Sequence, residues 1–243
     1  AEWAHFSLSR DFRRAEPNKA RIILLEAGPS ILSSFPMSLR EKAKKYLEKL
    51  GVEIRTASKV SAVNAEGVTV GNELIRSNNV IWTAGVKASP AAKWLGQKAD
   101  AIGRVEVNPD LSVPGSPEVF VIGDTALVRD TNGTNLPGVA PVAMQEGSFV
   151  ADVIRARILN REVPTTFRYR EKGNLATIGR SSAIADFHWL RLSGLPAWLL
   201  WVAVHIFYLI GFKNRLLVLL EWAWSWVTFH RGARLITIPA KSK

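Results

Sequence analysis

The sequence predicts an α/β fold, and three observations predict it. Three apolar runs of strand length stop abruptly, at Glu26-Ala27-Gly28, at Thr83-Ala84-Gly85 and at Gly123-Asp124. Segments with helical spacing follow the first and the last of these runs. Strands alternating with helices are the pattern of a parallel sheet covered by helices.

Taken in order, residues 1–14 suit a helix that runs into Pro17. Residues 21–25 form a buried strand that ends in an acid and a glycine. Residues 38–50 place Leu39, Ala43, Tyr46, Leu47 and Leu50 on one helical face, and Gly51 closes the helix. Residues 52–55, 59–64, 67–70 and 73–76 read as short β segments of a small antiparallel excursion. Residues 79–85 return to a buried strand, and residues 103–107 and 119–122 are two more. Residues 136–147 open a helix reaching to about Asn160, with Pro141 in a first turn where its missing N–H costs nothing. Residues 167–169, 175–180 and 182–186 are short strands around Gly173 and Gly179. Two apolar stretches, 195–212 and 216–229, close the sequence on either side of Lys213-Asn214-Arg215.

The totals narrow the function. The 243 residues contain no cysteine, which removes disulfides, cysteine metal sites and thiol relays; no metal site is expected. The net charge of +11 is uneven. From Val150 onward fourteen Lys or Arg face five Asp or Glu, a balance of +9, leaving +2 for residues 1–149. Six of the nine tryptophans lie between Trp189 and Trp226, in the same basic end. Positive charge beside tryptophan-rich apolar runs points to a membrane surface, reached through residues 190–236, and not to nucleic acid, because the aromatics are not interleaved with the basic residues. The first apolar stretch is at the lower edge of spanning length and the second is shorter. His205 and Glu221 interrupt them, so a pair of interfacial helices is expected over a transmembrane hairpin.

The strand ends carry the candidate sites. Glu26 reads as the acid that accepts bonds from both hydroxyls of an adenosine ribose, or as a strand-end carboxylate in solvent. Ala84 and Gly85 suit close passage of a flat ring, or a plain exit into a loop. Gly123 lets a ligand approach the main chain and Asp124 can accept bonds from sugar or ribityl hydroxyls, though Gly-Asp also makes an ordinary turn. The helix that starts near Pro141 would aim its free N–H groups at this strand end and favour negative charge there.

These motifs in this order, with Glu171-Lys172-Gly173 leading into Ala176-Thr177-Ile178-Gly179 and a tryptophan-rich tail, resemble the type II NADH:quinone oxidoreductases. These are single-subunit, FAD-containing dehydrogenases attached to one face of a respiratory membrane. The resemblance runs through essentially the whole chain. It implies a two-dinucleotide-binding, Rossmann-like flavoprotein fold, here incomplete, followed by an α+β membrane-attachment region. Residues 1–85 would be the remainder of the NADH-binding domain, 86–160 the remainder of the FAD-binding domain, and 161–243 the C-terminal domain with membrane-associating helices. Glu26 would bind the adenosine ribose of NADH, its charge opposing a 2′-phosphate. Ala84 and Gly85 would border the nicotinamide side of the flavin, and Gly123 and Asp124 would hold the ribityl and pyrophosphate. Ala143 would back the isoalloxazine ring, Gln145 would face the quinone headgroup, and Lys172 would sit beside flavin and quinone. The implied partners are a membrane quinone and the lipid surface, on the cytoplasmic face of a bacterial inner membrane. A homodimer through the tail stays open.

The sequence departs from the family in two places. Pro141 stands where the family has a glutamine one turn before Gln145. The first glycine is Gly28, so neither Gly-rich phosphate loop lies in the chain; both are expected to precede Ala1, and the chain alone is expected to bind neither cofactor tightly. Two other readings are a degenerate, non-enzymatic membrane-associated remnant and a different FAD/NAD(P)-dependent reductase. The missing cysteines and the apolar tail weigh against disulfide-reducing and ferredoxin-reducing relatives.

Overall fold

The computed structural model describes residues 1–2 and 19–228; the helix expected over residues 1–14 lies almost wholly outside them. The chain forms two compact units, one built from residues 1–80 and 173–243, the other from residues 81–172.

In the first unit, β1 (Ile22–Leu25) pairs in parallel with β2 (Val52–Arg55), connected through helix α1 (Met37–Lys49). Parallel neighbours need a crossover connection, which this helix supplies. Leu50 caps α1 and Gly51 follows at φ 76°. The residues expected at 52–55 are therefore part of the parallel pair and not of the antiparallel excursion. The excursion itself is present as a meander, β3 (Val60–Asn64), β4 (Gly67–Val70) and β5 (Glu73–Arg76). The chain's far end supplies β10 (Asn174–Gly179), β11 (Ser182–Asp186) and β12 (Arg191–Gly194), an antiparallel sheet in that order. Alternation along β11 puts its side chains on two faces. Ile184 joins Ile31, Phe35, Leu39 and Ala43 in one core, so α1 packs on this sheet. Ala183 and Ala185 pack with Ala197 of helix α4 (Leu195–Tyr208).

Helix α5 (Phe212–Thr228) follows α4. The break between them falls at residues 209–211, earlier than expected, and Lys213-Asn214-Arg215 lie inside the first turn of α5. Gly211, at φ 82°, turns the chain, and Asn214 Nδ2 and Arg215 N–H donate to the carbonyls of Ile210 and Gly211, so polar residues start the helix instead of separating two. Trp201 stacks on Trp222 with ring centroids 5.6 Å apart, and Trp198 meets Trp226 at 6.2 Å, fastening the two helices. Many remaining large side chains stay in the open, among them Leu199, Phe207, Ile210, Phe212, Leu220 and Trp224. Among the described residues, no helix is long and apolar enough to cross a membrane.

The second unit surrounds a core of Val105, Leu111, Val113, Val121, Ala126, Val128, Val150 and Phe167. Strand β6 (Val105–Glu106) pairs in parallel with β9 (Ala126–Leu127). The run expected at 119–122 is the end of β8 (Ser116–Phe120), which pairs antiparallel with β7 (Ser112–Val113) across a Pro114-Gly115 turn. This differs from the parallel strand expected there: Pro-Gly closes a tight hairpin, which joins antiparallel neighbours only. Residues 79–85, expected as a buried strand, form no strand, and Ile81 and Trp82 are 86% and 62% exposed. No described strand pairs with them. Residues 167–169 also lie outside any strand; Phe167 is buried by an edge contact with Phe149 at 5.6 Å instead. A short helix, α2 (Ala91–Trp94), precedes β6, and helix α3 (Ala140–Ile158) has Pro141 in its first turn and ends close to the expected Asn160.

Candidate active site

A close-packed polar corner of the second unit lies where β8 ends. Val121 N–H donates to Leu111 O, and the chain then turns through a 3-10 segment, Gly123–Thr125. Gly123 has φ 67°, a left-handed value that non-glycine residues adopt at a cost of about 1–2 kcal/mol. Helix α3 packs directly on this turn. A Cβ added at Gly123 would stand 3.5 Å from the Ala143 Cβ, so two of the expected site residues touch the same small space. One added at Gly138, just before α3, would stand 3.1 Å from Asp124 Oδ1, so the absence of a side chain there lets the carboxylate lie against the helix approach. Asp124 is exposed, and its carboxylate accepts no hydrogen bond from a described residue.

Behind the turn lies a carboxyl group that the sequence reading left without a role. Glu146 is 1% exposed, and its Oε2 accepts the Gly123 N–H at 2.5 Å. Burial raises its pKa above the usual carboxylate range; the Gly123 bond opposes this rise and the negative charge of Asp124 adds to it. The signal was available in the spacing. Val142, Glu146, Val150 and Val153 form the buried stripe of α3, and an acid on such a stripe needs a partner.

Gln145, one residue earlier, is half-buried and turned to a different neighbour. Its Nε2 donates to Arg170 O and its Oε1 accepts Arg170 N–H, both at 3.0 Å. This amide clamp fixes the segment before Lys172 against α3. Lys172 is exposed, at the end of that segment, and Tyr169 beside it has its pKa raised by burial and by Glu171. Ala84 and Gly85 are exposed, with no atom within 4 Å of a Cβ built on Gly85. Four residues on, Ser89 Oγ lies 3.3 Å from Thr125 Oγ1, joining the loop after Gly85 to the Gly123–Thr125 turn.

In the first unit, Glu26 sits at the end of β1, its N–H and C=O bonded to Arg55 O and Ser58 N–H. Its Oε1 accepts Gly28 N–H at 2.7 Å, and its second oxygen has no partner among the described residues. Arg40 holds the loop beside it, bonding Ser30 Oγ at 3.0 Å and the carbonyls of Ser33 and Phe35. Among the described residues no cluster of His, Cys, Asp and Glu could hold a metal ion.

The chain belongs to the pyridine nucleotide-disulphide oxidoreductase family, which residues 9–147 match. Within that class, residues 172–230 match the NDH2 C-terminal domain. The chain is 40% identical to the type II NADH:quinone oxidoreductase Ndh of Mycobacterium tuberculosis, over 98% of its own length and 52% of the relative's. It is 37% identical to that organism's NdhA, over 97% and 52%, and 31% identical to the type II NADH:quinone oxidoreductase of Staphylococcus haemolyticus, over 75% and 46%. The resemblance carried by the motifs is therefore shown, and the chain spans about half the length of these curated relatives. The fold matches that of NDH2 from Plasmodium falciparum, solved in complex with NADH, with a TM-score of 0.80 at 16% identity, covering 92% of this chain and 61% of that one.

Proposed function

We propose that the chain is part of an FAD-dependent oxidoreductase that passes two electrons from NADH to a membrane quinone. The observation that carries this reading is the corner where Gly123 and Gly138 bring bare main chain up against Ala143 and Asp124, whose exposed carboxylate accepts no hydrogen bond from a described residue. A polyol with hydroxyl donors fits that corner: the main chain comes close and the carboxylate is available to accept. Glu26, with one oxygen held by Gly28 N–H and the other open, fits a ribose in the same way.

When bound, the flavin supplies the two-electron exchange between hydride donor and quinone. The chain's own residues bind and orient. Gly123 and Asp124 hold the ribityl and pyrophosphate region, Ala143 backs the ring, and Ala84 and Gly85 border its nicotinamide side. The first turn of α3 and the positive charge of Lys172 favour negative charge on the bound ring system. Gln145 keeps the segment leading to Lys172 in place and lies on the quinone side. Residues 1–85 belong to the NADH-binding domain, 86–160 to the FAD-binding domain and 161–243 to the membrane-associating domain.

Residues 190–236, described as far as 228, rest on the cytoplasmic face of a bacterial inner membrane without crossing it. The exposed aromatic and aliphatic side chains of α4 and α5 support this. The reaction consumes NADH, one proton and quinone and yields NAD⁺ and quinol. The test is the visible flavin band of the intact gene product: NADH should bleach it, and a short-chain quinone should restore it. A protein that retains no flavin and ignores both reagents would be a non-enzymatic remnant. Binding to lipid vesicles that high salt or mild detergent reverses, with both chain ends open to protease on one side, checks the attachment; ends on opposite sides would refute it.

A further inference from the structure

Glu146 has no part in the reading above, yet its geometry makes it the group on which the Gly123–Asp124 turn hangs. Its Oε2 bonds the Gly123 N–H at 2.5 Å from inside the molecule. Gly123 holds a left-handed φ of 67°, and the residue after it presents its carboxylate to Gly138. The second carboxyl oxygen, Oε1, is buried with no partner among the described residues. A carboxyl in such a place is costly to keep unless it fixes something.

We propose that Glu146 is a positioning residue: by accepting the Gly123 N–H it locks the left-handed turn and so aims Asp124 at the polyol it binds. The proposal rests on the cofactor reading of Asp124 for its purpose, but the lock itself is a property of this chain. Replacing the acceptor by an apolar side chain frees the turn, and Asp124 then samples directions that miss a hydroxyl. Glutamine keeps a carbonyl acceptor and restores the aim. The titratable group facing Glu146 is Asp124, from the 3-10 turn; Val142, Val150 and Val153, on its own helical stripe, are apolar. The lock therefore responds to pH through the Glu146 carboxyl.

The full chain, labelled with ¹⁵N-glycine, reports the lock directly. Gly123→Ala identifies the Gly123 amide, and Gly138→Ala that of Gly138. The Gly123 proton should lie far downfield, exchange about tenfold more slowly than that of the open Gly85, and titrate above the usual carboxylate range. Glu146→Gln should keep the protection and abolish the titration. Glu146→Leu should lose the protection and move the Gly138 signal as well. If Glu146→Leu does not fold, the wild-type titration and its loss in Glu146→Gln decide alone. A Gly123 amide that exchanges as fast as Gly85, or titrates unchanged in Glu146→Gln, overturns the proposal, as does an unmoved Gly138 signal in folded Glu146→Leu. FAD titration of the intact gene product and of its Asp124→Asn variant separates the two levels: unchanged binding there ends the cofactor reading and leaves the lock standing.

Discussion

Val119-Phe120-Val121-Ile122 and Val80-Ile81-Trp82-Thr83 have almost the same chemistry. Both are apolar, both are rich in β-branched and aromatic residues, and both lead into a glycine with positive φ. One of them finishes a hairpin, pairs with Ser112 and Leu111, and buries Val121 in a core. The other pairs with nothing described and leaves Ile81 and Trp82 in the open. The difference lies in their neighbours. A strand satisfies its backbone groups only through another strand, and its apolar face only through something that covers it. The Gly123 corner is accordingly prebuilt, with helix, turn and carboxyl already in contact, whereas Ala84 and Gly85 stay exposed with nothing packed on Gly85.

The contrast can be broken most directly in the cores. Leu111→Ala, at a fully buried position, should cost about 2–5 kcal/mol in equilibrium unfolding. Ile81→Ala should stay within about 0.5 kcal/mol. Equal costs would mean that residues 80–83 are packed after all. Next comes Glu146→Leu, which leaves the Gly123 N–H without its acceptor and should cost about 1–3 kcal/mol.

Glu146 also gives the comparison a pH signature. Its folded-state pKa is raised, so the folded chain holds this proton more tightly than the unfolded one. Its contribution to stability is complete below the unfolded carboxylate value and is lost as pH rises through the folded one. Thermal unfolding followed across that window should decline in the wild type, and this component should be absent in Glu146→Gln. Gly123→Ala follows, at about 1–2 kcal/mol, because space exists for the methyl but the left-handed backbone opposes it. Gln145→Leu should be smallest, about 1 kcal/mol from a partly exposed pair of bonds, with faster proteolysis of residues 161–172 as its clearest mark.

Much of this was legible in the letters. The α1 and α3 helices follow their apolar spacing, Gly51 closes the first and Pro141 opens the second, and β11 occupies its expected residues. Small local signals were enough there. Strand partners were not legible, because pairing is decided far along the chain: β2 joined β1 and not the meander, and residues 79–85 found no partner. β12 was missed because Arg191-Leu192-Ser193-Gly194 is too short and too polar to read as a strand; it is held by its register on β11. In the site, the exposed Asp124 and the small Ala143 were readable as types, while Glu146 drew no role because a lone acid in a helix does not announce its burial.

The paired indoles of α4 and α5 have an optical consequence. Trp201 stacks with Trp222, 5.6 Å away, and with the His205 ring, 3.8 Å away. Rings so close exchange excitation, and most of the chain's tryptophans sit in this one hairpin. The intrinsic fluorescence of the protein is therefore a gauge of the hairpin: its colour follows whatever medium bathes those rings, and no dye needs to be attached to watch it.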